Sequence, residues 1–519
     1  MFDQLKGGDN NDTRPFDQGA VAPSACTAAP LGRFKLRSVA SKSSGEPLTG
    51  LLDATIGVID DNTGVAAALT RLLVAAGVTA SVVDKVDDSL DGIIFLGGLR
   101  PIASIEDGIA INREAFAIAR SLATGSKAAR VLVTVSNLGG DFGVTAPCNL
   151  YAWSAGLTGL IRTTAIEWPD TRVRAIDIER ADTDTDALAA LIADELLTGG
   201  NELEVGLAAN GTRTTLRSEL AAVSPGTTPL GSSDVVVVSG GGRGVTAATM
   251  IELARSSGAK LALLGRSELT DEPACCSTAT DDAALKKVLL TEAKASGKSI
   301  TPRELATQAR QILATREVRQ TLSAIEATGC QACYLAVNIT DNKAVTAALN
   351  KVRAELGPIT AVVHGAGVLA DKLIADKTDA AFASVFDTKV LGLQVLLNAT
   401  RNDALKVLCV FSSVAARTGN RGQVDYAMAN EILNKVAVAE RNRRGADCVV
   451  KSFGWGPWDG GMVSPSLKAH FEAMGTTLIP LEAGSRMLVE ELSDLQNDEV
   501  ELVIGGGVLP ECILASGHS

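Results

Sequence analysis

Ser413, Tyr426 and Asn430 lie in the stretch FSSVAARTGNRGQVDYAMAN, from Phe411 to Asn430, at offsets that let one reaction centre use all three. A phenol and a hydroxyl set side by side can pass a proton to a substrate oxygen and fix that oxygen in place. Tyr426 and Asn430 are four residues apart, Tyr426 directly before and Asn430 within the run AMANEILNKVAVAERNRR, whose Ala, Leu and Val spacing predicts a helix. That offset puts both side chains on one face, one turn apart. Ser413 stands thirteen residues before Tyr426 and closes the apolar run Val407 to Phe411, which reads as a buried parallel strand. Its hydroxyl is expected at the strand's carboxyl end, where open α/β sheets bind ligands. Any of the three alone is an ordinary loop or helix residue, so the joint spacing carries the signal.

Ser-x12-Tyr-x3-Asn resembles the active-site signature of short-chain dehydrogenases/reductases, in the form used by ketoreductase domains of polyketide and polyunsaturated fatty acid synthases. In that form the lysine found elsewhere four residues after the tyrosine has moved to an earlier helix. In AFASVFDTKVLGLQVLL, Phe382, Val385, Phe386, Leu393 and Leu396 form a helical apolar stripe, and Lys389 falls inside it. Such a lysine can simply run its stem along apolar surface; the resemblance implies that Lys389 is the matching catalytic lysine. It further implies that Tyr426 donates a proton, Lys389 lowers the phenol's pKa, Ser413 holds the carbonyl oxygen, and Asn430 holds the lysine or a bridging water.

The elements that must position these residues repeat once along the chain. Short apolar runs at Thr55–Ile59, Ser81–Val83, Ile93–Leu96, Val131–Val135, Val173–Ile178 and Val205–Ala208 alternate with Ala/Leu-rich helical stretches, the texture of a parallel α/β sheet. After AAVSPGTTPLGSSD the texture begins again, with runs at Val235–Val238, Leu261–Leu264, Tyr334–Val337, Ala361–Val363, Val407–Phe411, Cys448–Phe453 and Leu502–Ile504. The expected architecture is therefore two Rossmann-like subdomains, a structural one over residues 49–225 and a catalytic one over 226–519, preceded by a linker over 1–48. In the first half Tyr151 sits like Tyr426, but Ala155 and Leu138 stand at the Asn and Ser offsets, and Asp60 and Asp61 would repel a pyrophosphate. That half reads as a degenerate copy, and synthase ketoreductases resemble this arrangement too.

Val235–Val238 runs into Ser239-Gly240-Gly241-Gly242-Arg243-Gly244-Val245-Thr246 and then a helical stretch, the context in which a glycine turn cradles a dinucleotide pyrophosphate. The spacing is similar to the family's G-x-x-x-G-x-G, with Thr246 in place of the third glycine. The next strand ends Leu264-Gly265-Arg266-Ser267, with no acid for the ribose hydroxyls; Arg266, Ser267 and Arg243 offer donors suited to a 2′-phosphate, so NADPH is the expected cofactor. By resemblance, Asn338 and Ile339 stand at the adenine contact, Gly365, Ala366 and Gly367 flank the nicotinamide and ribose, and Gly456, Pro457 and Trp458 close over the ring. His364 is expected to be a packed histidine. Val368-Leu369-Ala370-Asp371 resembles the Leu-Asp-Asp motif of ketoreductases that give the (3R) alcohol, with Ala370 at the first Asp, Asp371 at the second, and Thr418 where the opposite class carries tryptophan. Asp371 could equally cap a helix.

A helical insertion is expected within residues 268–328, as padding against the sheet or as a docking surface. Net charge is −12 with no basic block, which argues against nucleic acid as a partner. No apolar run of about 18 residues occurs, which argues against a membrane span, and MFDQLKGGDNNDTRPFDQ looks cytosolic or like the cut end of a larger protein. The nine scattered cysteines read as reduced thiols, and Cys330-Gln-Ala-Cys333 lacks the second pair or nearby histidine of a zinc site. The resemblance implies an NADPH-dependent reduction of a 3-oxoacyl thioester on an acyl carrier protein, beside neighbouring synthase domains. The alternatives are a free-standing reductase of small ketones, which would not need a degenerate half, and a non-catalytic structural module.

Overall fold

The computed structural model describes residues 31–145, 149–461, 468 and 477–505; Cys26, Cys148 and Cys512 fall outside them. In chain order the first half contains β1 (Gly32–Ala40), β2 (Thr55–Ile59), α1 (Val65–Ala75), β3 (Thr79–Val83), β4 (Gly92–Gly98), α2 (Ile105–Thr124), β5 (Val131–Ser136), α3 (Gly156–Glu167), β6 (Arg172–Ile178), α4 (Thr185–Thr198), β7 (Glu204–Leu207) and β8 (Arg213–Leu220). The second contains β9 (Val235–Ser239), α5 (Gly244–Ser257), β10 (Lys260–Gly265), α6 (Asp282–Ala295), α7 (Pro302–Glu326), β11 (Ala332–Ala336), α8 (Asn342–Glu355), β12 (Ile359–His364), α9 (Asp379–Ala399), β13 (Val407–Ser413), α10 (Val414–Thr418), α11 (Val424–Arg444), β14 (Val449–Trp455), α12 (Leu481–Ser493) and β15 (Glu501–Gly505).

All these strands join one sheet in the order β11-β10-β9-β12-β13-β14-β15-β1-β8-β7-β6-β5-β4-β2-β3. Pairing is parallel except where β1 meets β15 and β8 and where β7 meets β8, which are antiparallel. All thirteen apolar runs fall on strands. The linker expected through residue 48 gives way at Gly32, because β1 is the strand that joins the two half-sheets. It was hard to see because GRFKLRSVA and its partner RTTLRSEL are antiparallel strands that bury few side chains: Phe34 and Leu36 pack inward while Arg33 is buried only through its pairing with Glu491.

One apolar layer runs through both halves, taking Phe116, Leu157 and Leu160 from α2 and α3, and Phe386, Met428 and Ile432 from α9 and α11. Phe116 stacks on Phe382 with ring centroids 4.2 Å apart. Helix α3 crosses α11 so closely that a Cβ on Gly159 would lie 2.7 Å from the Ala427 carbonyl. Helix α9 is long and apolar enough by composition to cross a membrane, and it spends that apolarity inside the fold, burying Phe382, Val385, Phe386, Leu393 and Leu396. The insertion forms the two expected helices, α6 and α7. Pro302 opens α7 behind a Thr301–Glu304 capping box, and a small cluster of Cys276, Leu285, Leu289, Ala309 and Ile312 holds the pair together.

Candidate active site

Strand β13 delivers Ser413 at its carboxyl end, as the apolar run required. The Ser413 hydroxyl accepts the Ala415 N–H at 3.2 Å, capping the short α10, and donates to the Trp455 carbonyl at 3.5 Å. Beyond α10 a turn at Gly419–Gln423 leads into α11, whose first turn carries Tyr426 and whose second carries Asn430. Lys389, in the middle of α9, is 3% exposed and reaches across to place its Nζ 5.2 Å from the centroid of the Tyr426 ring. The three strand and helix contributions therefore meet, with the ammonium over the aromatic face.

Two expected details come out differently. Lys389 Nζ donates to the Phe411 carbonyl at 2.9 Å, whereas Asn430 gives its amide to the Tyr426 carbonyl at 2.9 Å, so Asn430 does not hold the lysine. Its Oδ1 is buried without a partner among the described residues, an acceptor still available to a bridging water. The Tyr426 phenol also stands above its ordinary value, and Lys389 is not among the groups that pull it back. Burial pushes the Tyr426 hydroxyl up, with the Asn430 amide and Ser413 hydroxyl pulling it back, and the same burial pulls the Lys389 amine down to about 7. Desolvation penalises both charged forms.

His364 is packed. Its Nδ1 lies 2.7 Å from Ser239 Oγ and its Nε2 2.9 Å from the Lys389 carbonyl, while burial and the nearby Lys389 charge drop its pKa to about 3. It tethers the glycine turn to the lysine helix as a neutral imidazole.

The turn fits a dinucleotide. Gly240 has φ +75°, and a Cβ there would lie 2.8 Å from the Ala366 nitrogen, so the turn and the Gly365-Ala366-Gly367 segment close on each other. Ala366 N–H donates to Ser239 Oγ at 3.3 Å. At the start of α5 no side chain caps the helix and no acid stands in its first turn, leaving donors for an anion. The first half shows the contrast: Asp61 turns its carboxylate onto the start of α1, accepting from Ala66 N–H at 3.1 Å and Thr63 N–H at 3.2 Å. Leu138 and Ala155, at the positions matching Ser413 and Asn430, are core residues.

Arg266 is exposed at the end of β10, and the Ser267 carbonyl accepts the Tyr334 hydroxyl at 2.8 Å, which fixes the strand tip. Arg243 is half-exposed, 3.5 Å from Glu317 of α7, and Thr321 of the same helix donates to the Gly242 carbonyl at 2.9 Å. The insertion thus braces the glycine turn, which the sequence did not disclose. Thr246 is buried against Gly365 and caps nothing. Asn338 is exposed and Ile339 buried beside Gly392. Gly456 N–H donates to the Ile504 carbonyl at 2.7 Å and Pro457 is half-buried, but the Trp458 side chain turns into the core against Trp455 and Ile479. Asp371 is exposed, caps no helix, and accepts the Gln423 side-chain amide at 3.0 Å.

A parallel α/β sheet with a glycine turn at one strand end and a Ser, Tyr and Lys constellation at another defines a short-chain-reductase type of oxidoreductase. Residues 234–460 match the family model of the KR domain. The chain is 36% identical over 392 residues to a polyunsaturated fatty acid synthase polypeptide of Thraustochytrium sp., covering 73% of this chain and 14% of that protein. It is 31% identical over 171 residues to polyketide synthase PksL of Bacillus subtilis, covering 32% of this chain and 4% of that one. The chain thus spans a small part of each of these large synthases. A ketoreductase domain from the bacillaene assembly line superposes with TM-score 0.65 at 18% identity, over 93% of this chain and 99% of that structure. The first ketoreductase of the tylosin synthase gives 0.65 at 21%, over 91% and 92%. The chain carries a ketoreductase domain of the polyketide and polyunsaturated fatty acid synthase family.

Proposed function

We infer that this domain uses NADPH to reduce a 3-oxoacyl thioester, held on an acyl carrier protein, to the (3R)-hydroxyacyl thioester during chain elongation beside other synthase domains. The observation that carries the reading is Lys389 set over the face of Tyr426 beside Ser413, at the same sheet edge as an uncapped helix α5 behind a glycine turn. Gly240, Gly242, Gly244 and the first turn of α5 would hold the pyrophosphate, and Arg243, Arg266 and Ser267 the 2′-phosphate. When bound, the cofactor supplies the hydride. Tyr426 passes its phenolic proton to the ketone oxygen, Ser413 hydrogen-bonds that oxygen as charge develops on it, and the Lys389 ammonium stabilises the tyrosinate left behind. Asp371, at the groove's mouth, limits the side from which the thioester arm enters.

The test is oxidation of NADPH or NADH with 3-oxoacyl thioesters of several lengths, free and on an acyl carrier protein, followed by chiral chromatography. Reduction with NADPH to a mainly (3R) product is expected. A mainly (3S) product would refute the face of attack, and equal use of small free ketones would favour the free-standing reductase.

A further inference from the structure

Lys377 and Asp425 form an ion pair that the reaction does not use. Their side chains are 0% and 2% exposed, with Nζ to Oδ2 at 2.7 Å. The pair lies between two segments that matter. Lys377 also donates to the Ala370 carbonyl at 2.8 Å, one residue before Asp371, and Asp425 Oδ1 accepts the Tyr426 N–H at 2.9 Å. Around it the same two segments are joined three more times. Lys372 N–H donates to the Gly422 carbonyl at 2.9 Å, Gln423 bonds Asp371 at 3.0 Å, and Glu167 of α3 accepts Ile374 N–H and Gly422 N–H, each at 2.8 Å.

We propose that Lys377, Asp425 and Glu167 are positioning residues that lock the loop carrying Asp371 to the first turn of the helix carrying Tyr426, so that the side of substrate entrance is fixed relative to the proton donor. A buried pair contributes little net stability compared with an apolar contact of the same volume, but it is directional, and registry is the best-attested use of such pairs. Here the lysine spends two of its three donors, one on each segment, which two leucines in contact could not do. Glu167 adds an anchor from the degenerate half, giving that half a direct hold on the substrate side of the site. The proposal rests on the ketoreductase reading given above.

The test compares the parent with Lys377→Met/Asp425→Leu, which removes the pair without leaving a lone buried charge, and with Glu167→Ala, at a half-buried site where folding should survive. The ratio of the two hydroxyacyl enantiomers counts only completed turnovers, so partial unfolding does not move it. That ratio should fall toward one, with kcat down by about 10²-fold in the double variant, the loss typical of small misplacements, and the KM for NADPH unchanged. Amide hydrogen exchange of residues 368–378 and 419–426 supplies a readout independent of activity, and both segments should lose protection together in either variant. An inactive parent with coupled loss of protection would sink the ketoreductase reading and leave the lock standing. An unchanged enantiomer ratio, or loss of protection in one segment only, would overturn the lock.

Discussion

Replacing Lys389 with methionine should make the protein more stable and inactive. The unfolded chain gives this amine a pKa of about 10.4, and burial in the fold lowers it to about 7. Between those values the unfolded chain binds more protons, so stability rises with pH across that window, and the fold at pH 7 carries the cost of a discharged or desolvated amine. At about 1.4 kcal/mol per pKa unit, roughly three units amount to about 4 kcal/mol at pH 7. Methionine keeps the length and apolar stem but leaves the Phe411 carbonyl, now 2.9 Å from Nζ, without its donor. That omission costs about 1–3 kcal/mol, so the net gain expected is about 2 kcal/mol at pH 7. Near pH 9 the parent has recovered about 2 kcal/mol of its cost and the two proteins should be equally stable. Urea unfolding of both proteins at pH 7 and pH 9 reads the difference directly, since groups that Lys389 does not influence cancel and His364 stays neutral in the fold at both pH values. Parallel stability in parent and variant at the two pH values would show that the amine is not held where burial dominates, and full turnover by the variant would remove Lys389 from the chemistry.

Tyr426→Phe keeps the ring under Lys389 and should leave folding and NADPH binding intact while turnover falls by about 10²–10⁴-fold; undiminished reduction would refute the proton donor. Arg266→Ala should raise the KM for NADPH and leave NADH use nearly unchanged, because only the 2′-phosphate loses a partner; equal losses with both cofactors would assign the arginine to structure. Glu204, whose pKa is about 2 because Arg162 and Arg417 outweigh its burial, contributes stability present above its unfolded value near 4.3 and lost as pH falls toward about 2. Glu204→Gln should therefore destabilise by about 3 kcal/mol at pH 7 and flatten the acid limb of the unfolding curve, and an unaltered acid limb would contradict the pairing.

What could be read from the chain was whatever depends on local spacing. The Ser413, Tyr426 and Asn430 offsets survive folding because one helix and one strand end carry them, and Lys389 was recognisable as a charge inside an apolar stripe. What could not be read depends on partners far apart in sequence. Nothing in GRFKLRSVA says that it will sit between β15 and β8, since its pairing is decided by two edges that exist only once both half-sheets have formed. The partner of Asn430 was likewise invisible, because choosing between Lys389 and the Tyr426 carbonyl takes distances of a few tenths of an ångström. The brace from α7 onto Gly242 and Arg243 was missed because α7 buries residues around much of its girth, so its sequence did not single out Glu317 or Thr321 as facing the glycine turn.

The first half lacks the site residues of the second and yet grips it. In the first half Asp61 fills its own turn, and Leu138 is buried where the second half carries Ser413. Packing is another matter. Arg162 of α3 reaches the Ala416 carbonyl in α10, three residues after Ser413, and pairs with Glu204 and Glu431, while Glu204 pairs in turn with Arg417. These charges are almost wholly buried, so removing Glu204, which pairs with both arginines, unbalances the cluster in a low-dielectric setting, a loss of several kcal/mol. The strand end that carries Ser413 is thereby tied to α3 and β7 of the first half. The second half expressed without residues 31–220 would lose Glu204 from Arg417 and Arg162 from Glu431 and leave the edge of β15 unpaired, so the turn after Ser413 and the sheet edge would weaken together.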